Sequence, residues 1–397
     1  MRFRLLLFIL FPILFSQPAF GQVKGQCSNC HTMHNSQNNS KMVYMGSLAG
    51  WNAATKVLQG GAAATSPQES LLVSDCVGCH TNSTNGDTII TIGDNRIPIV
   101  FNTNLPTNPL AGGNFYWVAN PAFGDAYGHN VRGINAIDAT LSVAPGSFTC
   151  WTTSCHDSLT YSDEELHASY ADAKGGCQGC HQRIRHHAAS SPSGTPAGET
   201  EGYYRFLCAP QAHIDSELGG GCVHGIEDPA GDWEQVPTAT NHNTYYGGTG
   251  DEMTPDSAET SESMGNFCAG CHSYFHSPGY ATWYQDNGGG ADPWFKHPTN
   301  FVIPNTGEYR NFTTYSVTVP VARPGPQPIS SAGAGVVTPG TDKVFCLSCH
   351  RAHGSPYKDM LRWDYSLMEP GTNGASAGTG CFKCHSYKDD KVDSFPF

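Results

Sequence analysis

Six times this 397-residue chain repeats the pattern Cys-x-x-Cys-His. The repeats fall at Cys27, Cys30 and His31; Cys76, Cys79 and His80; Cys177, Cys180 and His181; Cys268, Cys271 and His272; Cys346, Cys349 and His350; and Cys381, Cys384 and His385. With 16 Cys and 18 His in the chain, chance would supply roughly 0.03 such motifs. The spacing is that of haem c attachment. Two thiols add across the vinyl groups of one porphyrin, and the adjacent His is carried under the iron as an axial ligand. Zinc sites built from Cys-x-x-Cys do not require His after every second Cys, and iron–sulfur clusters fail on the same point.

A seventh segment, CWTTSCH at Cys150, Cys155 and His156, lengthens the loop by two residues and keeps the Cys-His ending. It reads as a variant attachment site, which brings the expected count to seven haems c. Two cysteines remain, Cys208 and Cys222. In an exported chain such a pair is expected to form a disulfide, the alternative being an irregular eighth haem.

Seven irons call for seven distal ligands, and eleven histidines stand outside the attachment motifs. That surplus points to bis-His iron, although Met33, Met42 and Met45 lie near the first motif. His34, His276 and His353 follow motifs by three or four residues, in CHTMH, CHSYFH and CHRAH. His129, His242 and His297 sit in Gly, Asn and Pro settings where a loop can lay an imidazole on a haem face. Of the adjacent pair His186 and His187, one ligand is expected, His187. His167, His213 and His224 rank lower. Residues three apart on a helical turn point the same way, so His34 and His353 are expected to serve a haem other than the one bound by His31 or His350.

The chain has 45 Gly and 26 Pro, both breakers of regular structure. The expected fold is irregular: mostly coil, with short helices and a few short β-hairpins, organised around a chain of covalently attached haems. One helix is expected over 162–174, where Ser162 and Glu165 form a capping box. Residues 88–118 alternate Ile, Val and Phe with turn residues and read as one or two hairpins, and 315–322 as a short strand.

Residues 1–21 read as a signal peptide: two arginines, an apolar run from Leu5 to Phe15, then small residues at Ala19 and Gly21. The apolar run is too short for a bilayer-spanning helix of roughly 20 residues, and no membrane span is expected after cleavage. The mature chain then divides into an N-terminal haem region (22–187, haems one to four), a haem-free surface insert with the disulfide (188–262), and a C-terminal haem region (263–397, haems five to seven). The net charge of −13 argues against nucleic acid as a partner, since phosphate binding needs clustered Lys and Arg.

CSNCHTMHNS, YRFL, GIEDPAGDWE, NHNTYYGG, CAGCHSYFH with PWFKHPTNFVIP, and CLSCHRAHGSPYKDMLRWDY resemble the doubled CxxCH multihaem cytochromes c of metal-respiring bacteria. The resemblance covers most of the mature chain. It implies electron transfer in the periplasm or at the outer surface, with other redox proteins or extracellular acceptors as partners, or further copies of the chain in a filament. With no catalytic acid or base singled out, the expected function is an electron conduit and not an enzyme. The alternative is a multihaem reductase of a small oxyanion such as nitrite or sulfite, which would need one iron with an open position.

Overall fold

The computed structural model describes residues 71–141, 202–208, 222–248, 297–324 and 335–369 as continuous runs, with shorter runs around the remaining regular motifs and in 44–63. Residues 1–21, the expected helix at 162–174, the variant motif with Cys150, Cys155 and His156, and His276, His167 and His213 lie outside the described residues.

As the Gly and Pro content dictates, regular elements are short. Near the N-terminus β1 (Tyr44–Met45) pairs antiparallel with β4 (Ala62–Ala63), and β2 (Gly50–Asn52) with β3 (Val57–Gln59). β5 (Thr81–Asn82), directly after the second motif, runs parallel to β8 (Phe101–Asn102). Between them β6 (Ile89–Ile92) and β7 (Asn95–Pro98) form a hairpin. Its tip places Gly93 at φ 56°, where a side chain would be strained. Ile90, Ile92 and Ile99 bury together on this hairpin, which is the unit expected from the alternation at 88–118.

Among the described residues the largest sheet has six strands in the order β12, β14, β13, β11, β10, β9. These are β9 (Tyr203–Cys208), β10 (Cys222–Ile226), β11 (Thr244–Tyr246), β12 (Phe301–Val302), β13 (Ala322–Arg323) and β14 (Lys343–Val344). Three of its strands come from 188–262. The expectation of a surface insert there is therefore corrected: Tyr203, Tyr204, Val223 and Tyr245 are all but inaccessible to water. The average composition of that stretch is polar, but the strand segments YYRFLC, CVHGI and TYY are apolar enough to bury. In the expected strand at 315–322, only Ala322 belongs to β13, while Ser316 and Val319 form an isolated bridge.

Three of the apolar clusters carry attachment motifs. Helices α1 (Cys76–Cys79), α3 (Met264–Ala269) and α4 (Cys346–Cys349) contain motif cysteines, while α2 (Tyr116–Ala119) is a separate turn. Val77 of α1 packs with Phe101, Phe115, Val118 and Val131, and Cys177 lies against that cluster. Met264 of α3 and Leu347 of α4 pack with Tyr204, Val223, Tyr245 and Phe345. Ile303, Phe312, Tyr315 and Val321 form a third cluster that reaches Cys384. Burying one such side chain contributes about 1.5–3 kcal/mol, so the same contacts that hold the fold fix the motifs. Among the described residues no helix is long and apolar enough to cross a membrane.

Candidate functional site

All six regular motifs close the same single turn. The backbone N–H of the motif His donates to the carbonyl of the first Cys: His31 to Cys27 (2.8 Å), His80 to Cys76 (2.9 Å), His181 to Cys177 (2.8 Å), His272 to Cys268 (3.0 Å), His350 to Cys346 (3.0 Å) and His385 to Cys381 (3.1 Å). Such an i to i−4 bond is one turn of α-helix. It sets the first Cys, the second Cys and the His on one face, as one macrocycle requires. At the second motif Asp75 caps the turn, its carboxylate accepting from Gly78 N at 2.7 Å.

The motifs follow one another in space in sequence order. Cys30 is within electrostatic range of Cys79, Cys180 of Cys271, and Cys349 of Cys381. The sulfurs of Cys76 and Cys177 lie within hydrogen-bonding range of each other, as do those of Cys268 and Cys346. The second and third regular motifs thus meet directly, although the CWTTSCH segment separates them in sequence.

Five motif histidines face a second histidine across a gap of nearly constant width. Ring centroids are 6.0 Å apart for His31 and His187, 6.3 Å for His80 and His186, 6.1 Å for His181 and His353, 6.2 Å for His272 and His129, and 6.3 Å for His385 and His297. Two collinear metal–imidazole bonds of about 2.0–2.1 Å place ring centroids roughly 6.2–6.4 Å apart. Unassisted ring stacking has no reason to settle on that width. The gap fits an iron between two imidazoles, with the other four positions left to a porphyrin.

Ring orientation is fixed from behind. Nδ1 bonds a backbone carbonyl at His80 (Pro98, 2.7 Å), His181 (Phe206, 2.7 Å), His272 (Pro145, 2.7 Å), His350 (Asp359, 2.7 Å), His129 (Ala352, 2.6 Å) and His297 (Pro298, 2.7 Å). A carbonyl can only accept, so Nδ1 carries the proton and Nε2 keeps its lone pair for a metal. At His385 the acceptor is instead a side chain, Glu308 Oε1 at 2.8 Å. Burial also disfavours the imidazolium form. It lowers the pKa of His80, His129 and His181, and brings His186 to about 4 and His353 to about 3.

Backbone close approach delivers His353. Gly113 and Gly354 form a parallel bridge, His353 N donates to Gly112 O at 2.7 Å, and Arg351 Nη1 donates to Leu110 O at 2.8 Å. His353 consequently faces the third regular motif and not His350 of its own.

The other candidates are placed as follows. His34 is exposed, with φ 55°. His242 is buried, stacked on Tyr315 with centroids 3.5 Å apart, its Nδ1 bonding Asn243 O at 2.7 Å. Cys222 is disulfide-bonded and stands opposite Cys208 in the register of β10 and β9. Both members of the tandem, and not the expected His187 alone, face a motif histidine: His186 faces His80. The tandem itself was the missed signal. Consecutive residues outside a helix project to different sides, so two adjacent histidines suit two different irons better than one.

Residues 338–390, which hold the last two motifs, match the family described as doubled CXXCH motif. The chain is 24% identical over 384 residues to the C-type cytochrome OmcS of Geobacter sulfurreducens, covering 85% of this chain and 78% of that protein. Among solved structures it is similar to the outer membrane cytochrome S filament of Geobacter sulfurreducens, at 18% identity and a TM-score of 0.43 over 93% of this chain and 92% of that one. The OmcS nanowires of the same organism give 18% identity and a TM-score of 0.41 over 94% and 92%. With its repeated attachment turns, a doubled-motif unit at the C-terminal end and similarity to a C-type cytochrome along most of its length, the chain is similar to the multihaem c-type cytochromes.

Proposed function

We propose that the chain conducts electrons along a file of bis-histidine haems c outside the cytoplasm, after removal of residues 1–21. The observation that carries this reading is the set of five histidine pairs at iron-sized separation. Haem supplies reversible one-electron iron chemistry when bound. The residues do the rest. Paired cysteines tether each macrocycle, the motif histidine holds one face, and a distal histidine from elsewhere in the chain closes the other.

Six haems sit on the regular motifs, and a seventh is held by Cys150, Cys155 and His156. Distal ligation is by His187, His186, His353, His129 and His297 for the five paired sites. His34, His242 and His276 are the candidates for the sites on His350 and His156. Two devices keep neighbouring sites close enough for rapid transfer: adjacent ligands His186 and His187 serving two haems, and contacts between cysteines of successive motifs.

With a histidine on each side, the five paired irons would be closed to a substrate, so partners would be other redox proteins or extracellular acceptors. Self-association end to end belongs to the same proposal, as in the filament formed by OmcS. A disulfide between Cys208 and Cys222 staples the sheet edge. Intact mass of the mature holoprotein, measured with an absorption spectrum of the oxidised state, tests the whole. Seven haems with low-spin iron throughout is the expected result. Six haems would remove the variant site, and a high-spin component would replace the conduit with an enzyme bearing an open iron.

A further inference from the structure

The charged groups set against the ligand histidines differ along the file. Behind His385, Nδ1 meets the Glu308 carboxylate at 2.8 Å, whereas His80, His181, His272 and His350 meet backbone carbonyls. The contact is built, not incidental. Glu308 lies in the short turn Gly307–Tyr309, and its backbone carbonyl accepts from Ser386 N at 3.2 Å and Ser386 Oγ at 2.6 Å. Backbone and side chain of one residue therefore clamp the tail of the last motif. Glu308 and His385 are both largely shielded from water, so the carboxylate is weakly screened.

The opposite sign stands near the second motif. Arg205, on β9, is buried, and its Nη1 donates to the carbonyl of His186 at 3.0 Å and of Arg185 at 3.4 Å. It lies within electrostatic range of both His80 and His186, the two rings of one pair. Glu227 is the carboxylate within electrostatic range of Arg205.

We propose that these two side chains grade the haem potentials along the file: Glu308 lowers the potential of the haem between His385 and His297, and Arg205 raises that of the haem between His80 and His186. A carboxylate accepting from Nδ1 gives the imidazole more anionic character and strengthens its donation to iron, which favours the ferric state. A fixed cation near the iron favours the state with one fewer positive charge, the ferrous one. Electrons entering at the C-terminal motif would then run downhill toward the second motif.

The inference rests on bis-His ligation at both sites, and the experiment separates the two. Redox titration of the holoprotein followed by absorption reads potential, and the oxidised spectrum reads spin state. Glu308→Gln should raise one haem component, and Arg205→Gln should lower one, each by roughly tenfold in its reduction equilibrium, with all irons low-spin. Arg205→Lys, which keeps the charge, should restore the wild-type curve. Glu227→Gln, which removes the counter-charge, should shift the same component upward. Should Arg205→Gln fail to accumulate, the Lys and Glu227 variants decide. Unmoved components in either Gln variant, or an Arg205→Lys curve matching that of Arg205→Gln, would overturn the proposal. High-spin iron in Glu308→Gln or Arg205→Gln would make that residue a structural support and sink the grading with it. Failure of the ligation reading looks different: His186→Ala and His297→Ala would then leave every spectrum unchanged.

Discussion

His186 faces His80 with ring centroids 6.3 Å apart, while its neighbour His187 faces His31 at 6.0 Å. One dipeptide thus reaches the first two motifs from the same point of the backbone. The two iron positions it implies are tied through a few covalent bonds, and neither can move without the other.

That arrangement predicts separable lesions. His186→Ala should turn one haem high-spin, and His187→Ala a different one, with haem content unchanged because the thioethers remain. Magnetic resonance of the oxidised variants resolves the two. Loss of the same low-spin signal from both would show that a single iron is served.

A second prediction follows from His353, which faces His181 at 6.1 Å. His353→Ala should convert the haem on Cys177 and Cys180, although the substitution lies three residues from His350. A perturbed haem on Cys346 and Cys349 instead would contradict the pairing. Assignment is direct if the variant is combined with Cys177→Ala and Cys180→Ala, since no new high-spin signal should then appear.

Gly113 is a third test, because it positions His353 without touching the iron. Its φ is 84°, and an added Cβ would lie 1.9 Å from the carbonyl oxygen of Gly354. That oxygen belongs to backbone and cannot swing aside, so Gly113→Ala must part the bridge between the two strands of chain. A cost of about 1–3 kcal/mol is expected from the strained conformation alone, read as a lower thermal midpoint. The haem on Cys177 and Cys180 should also acquire a heterogeneous spin state. An unaltered midpoint and spectrum would show that the bridge is dispensable.

The motif turns were legible in the sequence because their chemistry is local. Five residues specify the tether, the proximal ligand and the hydrogen bond from His to the first Cys. The distal pairing was only partly legible. His129, His297 and His353 stood out by context, but which motif each would face depends on long-range contacts such as the Gly113 and Gly354 bridge, and no local pattern encodes these. In the sequence, the tandem His186 and His187 reads as two rivals for one site, because nothing local shows that the two rings face different motifs. The sheet is hidden in the sequence for a different reason. Averaged composition over 188–262 is dominated by Gly, Ser, Thr and acids, and it hides three brief apolar strands whose burial depends on β13 and β14 from far along the chain.

Cys222 supplies the last prediction. It is disulfide-bonded, and its register partner across β10 and β9 is Cys208. Among the described strands, the sheet order makes β9 an edge strand. That edge carries Arg205, whose Nη1 donates to the carbonyl of His186, so fraying there would loosen the site as well as the sheet. Closing a loop of about 15 residues should stabilise the native state by about 3 kcal/mol in the chain-entropy model. Cys222→Ser and Cys208→Ser should each lower the thermal midpoint, and the double variant should cost no more than either single one, because one bond is lost in every case. Haem content should be the same in all three. A double variant lacking one haem would show that these cysteines hold a macrocycle and not each other.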